Sequence, residues 1–323
     1  MKMIKKTMMT NKTHRNRTTR LKTCITLNLL LCLFIMNVNC QEFNYYTQYM
    51  FNGLAINPAY AGSNDFISLT GDIREQWTGM KGAPSTQTFS AHTPVFNNQF
   101  GLGLIFINDK VTITSQQEIS VNYSYKLRFP SYSLALGLKI GLNSLNSRFD
   151  ELYLADEEDD NFELNQRAYL PVFGLGAYLK STNYYVGLSV PYLYKFIHPK
   201  YENSNVNLNK LILLTGGYIY KINDNFTMKP SILAKAEIGS VFEMDFNANV
   251  YYKDDYCFGI SYKSLNSVSL LFEIGFDKSY YFGYSYDVTT SKLIKHQMGT
   301  HEISLNVYLS KDKKTKIVNP RYF

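Results

Sequence analysis

From Ile119 to Phe129, apolar Ile119, Val121, Tyr123, Tyr125 and Leu127 alternate with polar Ser120, Asn122, Ser124, Lys126 and Arg128. Period two places the two sets on opposite faces of a strand. From Leu134 to Asn143, Leu134, Leu136, Leu138, Ile140 and Leu142 alternate with Ala135, Gly137, Lys139, Gly141 and Asn143. The same alternation recurs at 66–76, 85–93, 100–107, 172–180, 184–190, 211–221, 226–236, 241–252, 256–263, 268–276, 280–288 and 301–309. These segments predict about fourteen short strands, with no competing helix of useful length after residue 40.

The connections between them carry a second pattern. VFNNQ, FPSY, STN, INDN, KDD and DKS are tight turns from even-numbered to odd-numbered strands, whereas the long segments 144–168, 191–210 and 289–300 join odd to even. A soluble sandwich has no reason to sort its loops by parity, but a membrane barrel keeps short turns on its periplasmic end and longer loops outside. Composition agrees, with 27 Tyr and 21 Phe against one Trp, as expected of aromatic girdles at two interfaces. The predicted fold is an all-β transmembrane antiparallel β-barrel of about 14 strands, since closure satisfies every backbone polar group in lipid.

The first forty residues belong to a different regime. Eight cations between Lys2 and Lys22 precede the apolar run from Ile25 to Val38, and no acid occurs before Glu42. The run is shorter than the ~20 residues a spanning helix needs, and it reads as a secretory signal. Val38 and Cys40 suit the positions before a cut; acylation of Cys40 is the rival, weakened by the poor lipobox Asn37, Val38, Asn39. Without the signal, 25 basic residues stand against 26 acidic, so the exported part lacks the basic face that nucleic acid requires. Only Cys257 survives processing, and it cannot form an internal disulfide. The expected organisation is a signal at 1–40, an N-terminal segment at 41–64 on the periplasmic side or in the barrel mouth, a barrel at 65–310, and a tail at 311–323. Both termini are then expected to be periplasmic.

The strand phase assigns a polar interior. Lys126, Arg128, Lys139, Lys229, Lys235, Glu243, Asp245, Asn247, Glu273, Asp287 and Glu302 fall on the inward face, as in porins, and a hairpin near 237–240 would set Lys235 opposite Glu243. An outer-membrane channel for small solutes is therefore one functional expectation.

Ser90 and His92 share a strand face, the arrangement a hydrolase would use, although same-face neighbours are unavoidable in a strand. His198, His296 and His301 are too scattered for a metal site. The acidic cluster Asp156 to Asp160 lacks calcium-loop spacing and reads as a solvated outer loop. The tail lysines Lys311, Lys313, Lys314 and Lys316 fit a solvated terminus or contacts with anionic partners. No cofactor is expected.

Several motifs in order along the chain carry a family resemblance. They are QYMFNGLAINPAYAGS (Gln48–Ser63), with Asn57, Pro58, Tyr60 and Gly62 most specific; QWTGMKGAPSTQTFSAHTP (Gln76–Pro94), with Trp77, Gly79 and His92; GLGLIFIND, ending at Asp109; VGLSVP, ending at Pro191; YDVTTSKL, with Asp287; and HEISL, with His301 and Glu302. Together they resemble the PorP/SprF family of type IX secretion. Gly53 departs from the pattern, at a position where many relatives carry proline. The resemblance implies a non-enzymatic protein embedded in outer-membrane lipid, partnered with type IX components or a secreted surface adhesin of the gliding apparatus.

Processing after Cys40 is a direct expectation. N-terminal sequencing of the exported protein should begin at Gln41; an acylated Cys40 would overturn this.

Overall fold

The computed structural model describes residues 46–149, 166–193, 211–237, 242–264 and 266–310. The expected signal, the acidic cluster at 156–160, His198 and the tail lysines lie outside the described residues.

Fourteen antiparallel strands form one closed sheet. They are β1 (Ile67–Glu75), β2 (Ser85–Val95), β3 (Phe100–Val111), β4 (Thr114–Arg128), β5 (Tyr132–Ser147), β6 (Gln166–Ser181) and β7 (Tyr184–Val190). They continue with β8 (Leu211–Tyr218), β9 (Phe226–Glu237), β10 (Glu243–Tyr252), β11 (Tyr256–Lys263), β12 (Ser267–Phe276), β13 (Tyr280–Thr289) and β14 (Thr300–Leu309). Each strand pairs with its sequence neighbours, and β1 closes the ring on β14 from Ile67↔Leu309 to Glu75↔His301. After Ile219, β8 resumes for the two residues Tyr220–Lys221, which also pair with β9.

Several strands outrun the alternating segments. β4 begins at Thr114 and β6 at Gln166, ahead of the alternation at 119 and 172. The added ladder in β4 is polar, Thr114 to Glu118, so neither face carries the apolar signal from which a strand is read.

Exposure is inverted relative to a water-soluble protein. On β5, Leu138 is 48% and Ile140 59% exposed, while inward Lys139 is 3%. On β4, Val121 is 54% exposed and Asn122 is fully buried. Apolar surface on this scale is stable against lipid and not against water. No helix among the described residues is long and apolar enough to cross a membrane; the strands do so instead.

The two rims differ. At the end with the tight turns, aromatic rings gather side by side, as in Phe129 on Tyr132, Phe226 on Tyr252 and Phe100 on Tyr125. This is an interfacial belt. The turns Lys253–Asp254 and Asp277–Lys278 have positive φ at both central residues, which matches the twist of the flanking strands. At the other end the β1–β2 and β13–β14 connections are knitted together, Thr78 donating its N–H to Gly299 at 2.9 Å and accepting from Met298 at 2.8 Å.

Arginine facing the bilayer midplane costs about 2–4 kcal/mol. Leu138→Arg and Phe272→Arg should therefore reduce the heat-modifiable folded band on electrophoresis, whereas Glu273→Gln, on the inner face, should assemble normally. Equal assembly of all three would refute the assigned faces.

Candidate functional site: a lumen filled by the N-terminal segment

The segment before β1 lies within the barrel, and nearly every residue from Tyr46 to Asn64 is buried. It contains a one-turn helix α1 (Gly53–Ile56) and a 3-10 turn at Pro58–Tyr60, whose start is capped by the Asn57 side chain accepting from the Ala59 N–H at 2.9 Å.

Its second half rests on a row of small wall residues. Directly paired positions run Gly101↔Ser124, Ser124↔Gly137, Gly137↔Gly176 and Gly176↔Ser189, crossing five consecutive strands from β3 to β7. The plug crosses these strands in reverse order. Ser189 Oγ donates to the Ile56 carbonyl at 2.6 Å, and Asn57 Nδ2 to the Ala177 carbonyl at 3.0 Å. Ser124 Oγ then donates to the Ala61 carbonyl at 2.7 Å. A Cβ on Gly137 would collide with the Pro58–Ala59 backbone, on Gly101 with the Ala61 carbonyl, and on Gly176 with the Asn57 side chain. These wall glycines thus allow one backbone to lie directly on another. Tyr60 packs edge-on against His92 and Tyr178, and its ring occupies the space a Cβ on Gly53 would need, which favours glycine at position 53 here.

The first half meets charge. Glu302 accepts the backbone N–H groups of Thr47 and Gln48 at 2.8 and 2.9 Å, one on each carboxylate oxygen. Arg74 bridges Glu302 at 2.7 Å and Asp287 at 2.9 Å, and Lys263 reaches Asp287 at 3.1 Å. The Thr47 hydroxyl sits among them, donating to Asp287 and accepting from Arg74 at 2.9 Å and Lys263 at 2.6 Å. Two cations and two carboxylates are thereby paired out of bulk water, with both terminal nitrogens of Arg74 and both oxygens of Glu302 hydrogen-bonded and only Arg74 Nε left without a partner among the described residues; pairing of this kind is the condition under which buried charge is tolerated. Asn52 continues the contact, donating to Asp72 at 2.8 Å and accepting from Ser90 at 2.9 Å.

The family-motif residues take up distinct places around the plug. Asn57, Pro58, Tyr60 and Gly62 form its second half, Asp287 and Glu302 its charged anchor. His92 accepts the Gly62 N–H at 3.1 Å while Ser90 is engaged with Asn52, so the two are not joined as a nucleophile and base. Lys126 donates to the Gly62 carbonyl. Asp109 accepts from Thr86 at 2.6 Å, and Pro191 packs on Gly174.

Trp77 and Gly79 lie in the β1–β2 connection, both with positive φ. His301 is on the outer face beside Tyr284, 2.7 Å from its hydroxyl. Lys139 pairs with Glu118 at 2.6 Å. Lys235 pairs with Asp245 at 3.0 Å and Glu243 at 3.4 Å across the β9–β10 register. Lys229 lies over the Tyr185 ring at 5.3 Å, and Glu273 is fully buried on the inner wall.

Arg128 is a correction. It is exposed at the turn-bearing rim, reaching the Asn97 and Asn98 carbonyls at 3.4 and 3.1 Å, because β4 ends there and the lumen ends with it. Arg74, Lys263, Glu118 and Asp72 were not singled out from sequence; for Asp72 and Arg74 the signal was present in the alternation of ISLTGDIRE.

Fold and site together define a plugged transmembrane β-barrel of the outer-membrane type. The chain belongs to the PorP/SprF family, described as type IX secretion system membrane protein PorP/SprF, whose profile matches residues 38–307. No curated protein matches it in sequence. Similar solved structures include the Acinetobacter baumannii outer membrane protein Omp33, at 9% identity and TM-score 0.47 over 77% of this chain and 99% of that one. The CymD monoaromatic hydrocarbon channel has 12% identity and TM-score 0.46, over 84% and 95%. The KdgM porin has 14% identity and TM-score 0.39, over 74% and 98%.

Gly137→Ala tests the plug contact. Both colliding partners are backbone, so the added methyl cannot be absorbed by a side-chain swing, and overpacking of this kind costs roughly 1–3 kcal/mol. The folded barrel should persist with a plug more readily cut by protease; wild-type protection would refute the contact.

Proposed function

We propose that this protein is a non-enzymatic, plugged outer-membrane barrel of the type IX secretion and gliding apparatus, which assists the secretion or surface retention of a partner protein. The long connections face the cell exterior in this reading, and the tight turns with their aromatic belt face the periplasm. The observation that carries it is the occupied lumen. A solute channel needs a continuous wet path, whereas here the most specific family motif is spent on filling the barrel with the chain's own backbone. The wall contacts of that motif engage five strands on one side, and a charged cluster holds the plug on the other. Such a barrel offers a rigid membrane platform whose useful surfaces are its ends. A hydrolase is disfavoured because Ser90 and His92 are each committed to the plug.

Deletion of the gene in its native host should remove a type IX client from the cell surface, and the tagged barrel purified in mild detergent should carry that client or a translocon component. The purified barrel should be silent in planar bilayers. Steady conductance, together with an unchanged surface proteome, would replace this reading with the channel.

A further inference from the structure

The direction in which the plug threads the barrel is set by its contacts. Its end nearest β1 lies at the turn-bearing rim: Gly62 is against Gly101 and Pro94, each one residue from its strand end, and Asp65 accepts from Asn98 of the β2–β3 turn at 2.8 Å. Its beginning lies at the opposite end. Thr47 is bonded to Glu302, Asp287 and Lys263. Asp287 and Glu302 each stand two positions from the strand ends that flank the long β13–β14 connection, and Lys263 is the last residue of β11 at the same end of the barrel. The chain therefore runs from the loop-bearing mouth at Tyr46 down to the turns at Asn64, and only then enters β1.

We infer that the N-terminus of the exported chain is displayed at the loop-bearing mouth, the cell surface in the orientation proposed above, and not in the periplasm where an even strand count alone would leave it. Chain reach supports this. Glu302 is seven residues above the turn-bearing end of β14, about 18 Å for a strand rising ~3.3 Å per residue and tilted ~40°. Position 42 is four residues before Tyr46 and can stray only about 14 Å from it. The route down the lumen is moreover filled by the plug itself. The N-terminal residues thus join the β1–β2 and β13–β14 connections on the face that a surface partner would meet.

Single cysteines in a Cys257→Ser background test the inference, labelled with a membrane-impermeant maleimide in intact and in permeabilised cells. Glu42→Cys reports the N-terminus, Lys81→Cys the loop-bearing end and Asp224→Cys the turn-bearing end, each checked for the heat-modifiable folded band. The expected result is full labelling of Glu42→Cys and Lys81→Cys in intact cells, with Asp224→Cys labelled only after permeabilisation. Glu42→Cys behaving like Asp224→Cys, or resisting label in both states, overturns the inference. Should Lys81→Cys and Asp224→Cys exchange behaviours, the proposed orientation fails, and the threading still stands or falls on which of the two Glu42→Cys matches.

Discussion

In hydrocarbon no water is available to an unpaired backbone N–H or carbonyl, and each such group costs several kcal/mol. For a chain built of short strands the remedy is to close the sheet, and the pairing of β1 with β14 does so. Closure then dictates the character of both faces and of the space within. One face of every strand meets lipid and becomes apolar, the other meets an enclosed space, and fourteen strands enclose more space than their own inward side chains fill. That space is occupied here by the segment that precedes the first strand.

The two halves of the plug are held by different physics. Between Ile56 and Gly62 the wall gives up side chains, so that backbone lies against backbone and carbonyls accept from Ser189 and Ser124. Little rotamer freedom is lost in such a contact, but it tolerates no added atom. Between Thr47 and Asn52 the wall presents charge instead, and the plug answers with neutral donors and acceptors. Because Arg74 and Lys263 already balance Asp287 and Glu302, the plug completes a hydrogen-bonding pattern without supplying a counter-ion. Loss of Arg74 would leave two buried carboxylates poorly compensated, a much heavier penalty than loss of a neutral partner.

A filled barrel presents something an open pore does not: a packed body in the membrane whose water-facing surfaces are its two ends. The turn-bearing rim is short and aromatic, suited to holding position at an interface. The opposite end carries the long connections and, by its threading, the start of the plug.

The strands, their number and the parity of their connections were legible in the sequence because period-two alternation is local, and because lipid outside and a polar interior impose it on every strand alike. Inward phase was legible for the same reason, and it placed Lys235 opposite Glu243 from turn length alone. Alternation failed where its physical cause stops: at Arg128, beyond the lumen's end, and along Thr114 to Glu118, where both faces carry polar side chains. The filled lumen was not legible. Gly101, Gly137 and Gly176 are far apart in sequence, each reads as a small residue in an alternating strand, and only strand register aligns them into a row that receives Asn57 to Gly62. Asp287 and Glu302 could be marked as inward, but their union with Arg74, Lys263 and Thr47 required closure of the barrel, since contacts across an enclosed space depend on the whole ring and leave no periodic trace in any one strand.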